Sequence, residues 1–296
     1  MSDPWPSGPA FAGPAARREA LSGRVAVVTG ASRGLGAGLA AHFAQAGLRL
    51  GLCARHRPDL VTKTRPRAHD GRIEGAEPPL VAPVDVVDFD ALADFAAAVI
   101  QRFGRIDLWV NNAGLLEPIG PVVEADPAEV ARHVAVNVTG VLYGTMIFAG
   151  HVRGRTGGGV LVNVSSGAGS RPYSGWAAYC GSKAAVDRLT EAVALEEAGH
   201  GLRAHAVAPG LVDTDMQAAI RATDESRFPE VARFRQLKRD GAFNSPPWVA
   251  EHLLQLAFGQ HSTGQVRLRV PNEPHPSAGR RPSGAGAGGG PPSRGR

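Results

Sequence analysis

Tyr179 and Lys183 stand four residues apart in Tyr179-Cys180-Gly181-Ser182-Lys183, in a chain that holds only three tyrosines and three lysines. Chance placement would supply about 0.03 such pairs per chain of this size. The run that follows, Ala184-Ala185-Val186, Leu189, Ala192-Val193 and Leu195, has the apolar period of an amphipathic helix. That period predicts phenol and ammonium on one helix face. A neighbouring cation favours phenolate, so Lys183 is expected to pull Tyr179 below its ordinary pKa of about 10 and make it a proton donor and acceptor near neutral pH. The competing reading is a surface tyrosine and a solvated lysine that merely share a helix.

Groups that could complete a site lie upstream. Val160–Ser166 reads as a buried strand ending in two hydroxyls, and Ser166 precedes Tyr179 by a flexible Gly-containing stretch, Gly167–Gly175. The C-terminal ends of strands are where open α/β sheets bind ligands. Ser-Ser-Gly is also ordinary turn or cap chemistry. Asn137 falls between Val136 and Val138 in a helical pattern where Asn is intrinsically poor, either as a satisfied polar group or as one recruited to a polar site. Asn111-Asn112-Ala113-Gly114 ends another strand and admits a plain turn reading.

Val25–Thr29 runs directly into Gly30-Ala31-Ser32-Arg33-Gly34-Leu35-Gly36 and then a helical pattern. Glycines here permit a tight turn and close approach of pyrophosphate and strand, while the helix N-terminus offers free N–H groups to phosphate. Such a loop also serves simple helix–strand packing; a strand before it and a helix after it favour the dinucleotide reading. The second strand, Leu48–Ala54, ends in Arg55 where NAD-preferring loops often carry an acid. Arg55 and Arg33 are therefore candidates for a 2′-phosphate, which predicts NADP(H) ahead of NAD(H).

The elements that must position these groups alternate. Strand-like runs at Val25–Thr29, Leu48–Ala54, Leu80–Pro83, Ile106–Val110, Val160–Val164, Leu202–Val207 and Gln265–Val270 interleave with helical patterns near Leu35–Ala46, Phe89–Phe103, Pro127–Phe148, from Ala177, and near Val249–Phe258. Continuously apolar strands between helices predict an α/β fold, a single Rossmann-type doubly wound parallel sheet in three α/β/α layers. One catalytic domain over 23–270 suffices. Residues 1–22 and the Gly/Pro/Arg-rich tail 271–296 are expected to be disordered, and 56–79, with four prolines, an irregular and mobile loop.

Composition narrows the function classes. The net charge of +5 resides largely in the tail, so nucleic-acid binding has little support. No uninterrupted run of 18 apolar residues occurs, and no membrane span or secretory leader is expected. Two cysteines, Cys53 and Cys180, make no disulfide framework and no metal-ligand spacing, so no metal is expected and a cytoplasmic setting fits.

Taken in order, TGASRGLG at 29–36, Asp85 in PVDVVD, NNAG at 111–114, Asn137, Ser166, Tyr179-x-x-x-Lys183 and Pro209-Gly210 make the chain resemble the short-chain dehydrogenase/reductase family over about residues 23–270. The resemblance implies NAD(P)-dependent interconversion of carbonyl and alcohol. It implies Asn137, Ser166, Tyr179 and Lys183 as the catalytic tetrad, with Asn137 holding a water that links Lys183 to solvent. It places Gly30, Ser32, Arg33, Gly34, Leu35 and Gly36 at the phosphates, Asp85 near the adenine, and Asn112, Ala113 and Gly114 along the cofactor. Pro209, Gly210, Val212 and Thr214 would lie beside the nicotinamide, and Tyr179 and Lys183 would also touch the cofactor. A narrower likeness, in Gly175–Lys183, Ala194–Glu197 and Val212–Gln217, is to sepiapterin reductase and its bacterial relatives, which include benzil (1,2-diketone) reductases. Ser166, Trp176, Tyr179 and Met216 are then the expected substrate contacts. Sepiapterin reductases carry a pterin-anchoring Asp near the C-terminus, and Gly264–Val270 has no acid, so a ketone or vicinal diketone is expected ahead of sepiapterin. A non-catalytic NADP(H)-binding regulator is the alternative from another class. The family also implies a homodimer or homotetramer through the helices near 130–148 and 179–197.

Overall fold

A computed structural model describes residue 5 and residues 11–58, 77–260 and 263–274. Seven strands, β1 (Val25–Thr29), β2 (Arg49–Ala54), β3 (Leu80–Pro83), β4 (Leu108–Asn111), β5 (Gly159–Val164), β6 (Leu202–Ala208) and β7 (Arg267–Arg269), form one all-parallel sheet in the order β3-β2-β1-β4-β5-β6-β7. The direction of winding reverses between β1 and β4, which opens a crevice at the carboxyl ends of those strands.

Both faces of the sheet are buried, and period-two alternation divides the side chains between them. Ala26 and Val28 of β1, with Leu108 and Val110 of β4, pack with Leu39 and Phe43 of α2 (Gly34–Gln45) and Leu253 of α9 (Pro246–Phe258). Val25 and Val27, with Trp109 and Leu161, face Phe95 and Val99 of α3 (Phe89–Phe103) and Phe148 of α5 (Gly140–Arg153). Burying one such aliphatic side chain contributes about 1.5–3 kcal/mol, so the sheet is the main source of cohesion.

Helix starts follow local chemistry. Asp88 caps α3 through the Ala91 N–H at 3.0 Å, and Asp126 caps α4 (Pro127–Val134) through the Ala128 N–H at 2.8 Å. Ser245 caps α9, with Pro246 at its first position. The helical pattern expected from Pro127 is continuous to Arg153 but passes through a π-turn at Ala135–Thr139. By length and composition this run is able to cross a bilayer, its most apolar stretch having a mean hydropathy of 1.3; here it lies along the sheet with 44% of that stretch buried.

A buried polar ladder ties the sheet to α6 (Ala177–Glu197). Trp109 Nε1 donates to Asn111 Oδ1 at 2.8 Å, Asn111 Nδ2 to Asn163 Oδ1 at 2.9 Å, and Asn163 Nδ2 to Thr190 Oγ1 at 2.9 Å. Each rung would be costly to leave half-made, so the ladder fixes how α6 sits on β4 and β5.

Several expectations are corrected. Residues 14–21, expected to lie in a disordered segment, form α1 (Pro14–Leu21), whose Leu21 joins the core, and Trp5 is buried with its ring edge-on to His252 at 5.1 Å. Tail residues 271–274 are also placed: Glu273 accepts from Ser245 Oγ at 3.1 Å, which ties this stretch to the start of α9. Helices α7 (Asp215–Ala222) and α8 (Val231–Arg239) were not anticipated. The expected irregular loop falls largely on 59–76, and most of the tail on 275–296, outside the described residues.

Gly38 of α2 faces α9 so closely that an added Cβ would overlap Pro246 Cβ and lie 3.0 Å from its Cγ. Alanine is the better helix former by about 1 kcal/mol, yet Gly38→Ala is expected to cost about 1–2 kcal/mol net and lower the melting temperature by about 2–8 °C. An unchanged or raised melting temperature would contradict this helix packing.

Candidate active site

A cavity of about 1020 Å³ opens at the carboxyl ends of the central strands. Its first wall is the glycine loop. Gly30 has a φ of +65°, and a Cβ there would come within 2.7 Å of Ala113 Cα; a Cβ on Gly36 would collide with the Asn112 amide and the Gly30 carbonyl. The loop is clamped by Asn112, whose Nδ2 donates to Thr29 O at 3.0 Å and Gly30 O at 3.2 Å. Gly30, Ser32, Arg33, Gly34, Leu35 and Gly36 all border the cavity. Helix α2 begins at Gly34 with no side-chain cap from Arg33, which leaves its first N–H groups for a ligand. Arg33 lies 3.8 Å from Asp215 in an exposed pair, and exposed Arg55 at the end of β2 also borders the space, as does Asp85.

The opposite wall holds Asn112, Ala113 and Gly114 after β4, Ser166 after β5, and Pro209, Gly210, Val212 and Thr214 after β6. Tyr179 and Lys183, on α6, complete it with Trp176 and Met216. The structure thus brings together every singled-out residue except Asn137, which is fully buried behind the Gly114–Leu115 wall.

The electrostatics correct one expectation. Burial pushes the Tyr179 phenol up from its ordinary value of 10.0, and a hydrogen bond from Ser166 only tempers the rise. Lys183 does not reverse that rise: its Nζ is 5.7 Å from the Tyr179 ring centroid and donates to the Val164 carbonyl at 2.8 Å. Burial holds Lys183 itself down at about 8, against the raising influence of Asp187. The site at neutral pH is therefore a neutral phenol, a hydroxyl in contact with it, and a buried ammonium.

Asn137 is held by protein groups. Its Oδ1 accepts from Leu115 N at 2.7 Å, and its Nδ2 donates to Leu115 O at 2.8 Å and to His133 Nε2 at 2.9 Å. Protein groups take both hydrogens of the side-chain amide. Trp176, expected to meet a substrate ring, has one face stacked on Phe228 at 4.4 Å and 7°. Around it Leu116, Ile220, Phe228, Val231 and Phe234 make an apolar cluster with Tyr173 and Met216. This cluster was not anticipated; Phe228, Val231 and Phe234 recur every three residues, a helical signal interrupted by Pro229 and the charged Glu230 and Arg233 between them. Gln217 was missed too.

The residues fit a nicotinamide dinucleotide: an uncapped helix start behind a glycine turn, Arg33 and Arg55 bordering the same space, and a cavity of sufficient volume. Two buried polar atoms on residues lining it, Gln217 Oε1 and Trp176 Nε1, have no hydrogen-bond partner among the described residues. Such groups are costly unless a ligand or water meets them.

Comparison with known proteins agrees with this geometry. The family model described as short chain dehydrogenase matches residues 24–225. A benzil reductase ((S)-benzoin forming) of Bacillus subtilis is 32% identical over 244 residues, covering 81% of this chain and 96% of that protein. The 3beta-hydroxysteroid dehydrogenase 1 of Eggerthella lenta is 35% identical over 243 residues, covering 82% of this chain and 89% of that protein. Among solved structures, the KRED1-Pglu enzyme superposes with a TM-score of 0.71 at 31% identity, covering 83% of this chain and all of that one.

Lys183 supplies a test of the electrostatics. Its folded-state value of about 8 lies below the ordinary 10.5, so between these the unfolded chain binds more protons and stability rises with pH. The burial penalty is thus fully present below about pH 8. Lys183→Met is expected to stabilise the ligand-free protein by up to about 3 kcal/mol at pH 7 and by less at pH 9.5. Denaturant titrations at both pH values check it; a variant less stable at pH 7 than the parent would contradict the buried-ammonium account.

Proposed function

The chain belongs to the short-chain dehydrogenase family, and from that premise we propose that this oxidoreductase reduces a ketone or vicinal diketone to an alcohol with NADP(H). The observation that carries the reading is the Tyr179 phenol, held neutral by burial and in contact with the Ser166 hydroxyl, on the wall of the cavity that the glycine loop borders.

The family works with nicotinamide cofactors, and when bound the nicotinamide supplies hydride to the carbonyl carbon. The chain's own residues handle the charge that develops on oxygen. Ser166 donates a hydrogen bond to that oxygen, and Tyr179 gives it a proton. A phenol with a raised pKa is a poor spontaneous acid but is fully protonated, as the reductive direction requires. The nearby Lys183 ammonium stabilises phenolate once the proton has left. Asn137 acts from behind, holding the Leu115 backbone that walls the centre.

The choice of NADP(H) is supported by Arg55 following β2, with no acid at that position, and by Arg33 in the glycine loop. Guanidinium pairs with phosphate in bidentate fashion. The substrate reading is supported by the apolar cluster around Trp176 and Phe228, which suits a flat aromatic or alicyclic carbonyl compound. Exposed apolar residues on α4, α5 and α6 (Val134, Leu142, Met146 and Leu195) fit self-association as a dimer or tetramer. Light scattering that returned a monomer mass would overturn that assembly.

The test is turnover of NADPH against NADH with benzil, simple diketones, steroids, quinones and sepiapterin. A diketone such as benzil is expected to oxidise NADPH steadily. Tyr179→Phe is expected to lose at least about 100-fold in kcat while binding NADPH within about twofold of the parent. Arg55→Ala is expected to lower the preference for NADPH over NADH by about 10-fold. Ordinary activity in the Tyr179 variant would sink the assignment, and an unchanged preference in the Arg55 variant would remove the 2′-phosphate role.

A further inference from the structure

His133 is buried on α4, four residues before Asn137, and both of its ring nitrogens are engaged. Nδ1 lies 2.7 Å from the Glu117 carbonyl oxygen. A carbonyl only accepts, so Nδ1 carries the proton and Nε2 of the neutral ring is an acceptor. The Asn137 carboxamide nitrogen donates to that Nε2 at 2.9 Å, and its other hydrogen goes to Leu115 O at 2.8 Å. Asn137 Oδ1 accepts from Leu115 N at 2.7 Å. Ser182 Oγ stands 3.0 Å from Nε2 and donates to the Tyr179 carbonyl at 2.9 Å. A flipped carboxamide would set its oxygen against the Leu115 carbonyl and the Nε2 lone pair. One orientation satisfies every partner.

We propose that His133, neutral and protonated at Nδ1, is a positioning residue that fixes the Asn137 carboxamide and through it the Gly114–Leu115 backbone beside Lys183 and Tyr179. This rests on those two residues belonging to the reaction centre. Gly114 is the point of transmission: a Cβ there would lie 3.4 Å from Asn137 Oδ1 and 3.9 Å from Lys183 Nζ. The Tyr179 ring meets the imidazole edge-on at 6.1 Å. A backbone shift at this wall would alter the space for both catalytic groups, and small displacements of reacting groups cost about 10- to 100-fold in rate.

The same wiring sets how the site responds to acid. A second proton on the ring would put an N–H at Nε2 against the Asn137 N–H, and the carboxamide could not stay where it is. Lys183 and Tyr179 face the ring from α6, and Glu117 faces it from the segment after β4. Burial foremost, aided by the Lys183 cation, holds the imidazole below its ordinary 6.5, while the Glu117 carbonyl and carboxylate and the Ala178 carbonyl oppose the shift. The arrangement is therefore intact at neutral pH and is lost on the acid side.

Two readouts on the full chain test this. Long-range ¹H–¹⁵N spectra at pH 7 are expected to show His133 as the neutral Nδ1–H tautomer, with its Nε2 resonance displaced in Asn137→Ala; an Nε2–H tautomer or a charged ring at pH 7 would overturn the proposal whether or not the protein is active. With NADPH and benzil, His133→Leu is expected to lose about 10-fold or more in kcat, with the benzil KM and NADPH affinity within about twofold. His133→Gln, whose carboxamide oxygen can accept from Asn137, is expected to recover kcat to within about threefold and to lose the acid-side fall of the parent's pH profile. A folded His133→Leu variant with the parent's kcat would overturn the proposal. Should His133→Leu not fold, a Gln variant that keeps the parent's acid limb would do the same. A parent that reduces no carbonyl compound overturns the proposed reaction instead, and the tautomer then decides the positioning role alone.

Discussion

The interaction on which the rest depends is a lysine ammonium buried at the end of a parallel sheet. A charge out of water is expensive unless its surroundings replace the lost hydration. Here the Val164 carbonyl, freed where β5 ends, accepts from Lys183 at 2.8 Å, and Asp187 lies one turn further along the same helix. The remaining cost shows in how far burial lowers Lys183. That stored cost is what makes the ammonium responsive to a negative charge forming nearby, as on a phenol that has just given up its proton.

Holding such a group in place requires a scaffold that cannot relax around it. The sheet is buried on both faces, and α6 is fastened to it by the Trp109–Asn111–Asn163–Thr190 ladder as well as by apolar contact. Behind Lys183, Asp187 is engaged by the Ser165 hydroxyl and by Arg267 of β7 at 3.2 Å, so the helix is also tied to the sheet's far edge. In front, the glycine loop and the Asn112 clamp define the opposite side of the cavity. The polar groups are mutually satisfied, and this satisfaction rather than propensity sets the geometry.

Much of this was legible in the chain. Strands β1, β2, β4 and β5 stand out because burial on both faces makes them largely apolar, and motif residues fall at their carboxyl ends. Less legible were features that depend on depth. The spacing of Tyr179 and Lys183 places them on one face but says nothing of how far that face is from water, and depth reverses the expected direction for Tyr179. Asn137 reads as an oddity within a helix, whereas in the folded protein it occupies a π-turn and faces protein partners on every side. Helix α8 carries its apolar residues among arginines and reads as polar, and α1 lies in a Pro- and Ala-rich stretch that is tied to α9 by the Arg17–Glu251 pair at 2.7 Å.

The end of the cavity proposed to take the substrate is built by those less legible parts. The motif-bearing strands supply the chemistry, while Phe228 and Phe234 press against Trp176 and shape what can reach Tyr179. On the proposed reading, reaction type and substrate preference reside in different portions of the chain, the first at strand ends and the second in α7, α8 and the turn before α6. The central claim is that hydride passes from nicotinamide to a carbonyl carbon in this cavity. The most direct measurement is mass spectrometry of the alcohol formed from benzil with NADPH carrying deuterium at the transferred C4 position. The account requires one carbon-bound deuterium in each benzoin molecule and one NADPH consumed; benzoin without deuterium, or NADPH consumed with no alcohol formed, would contradict it.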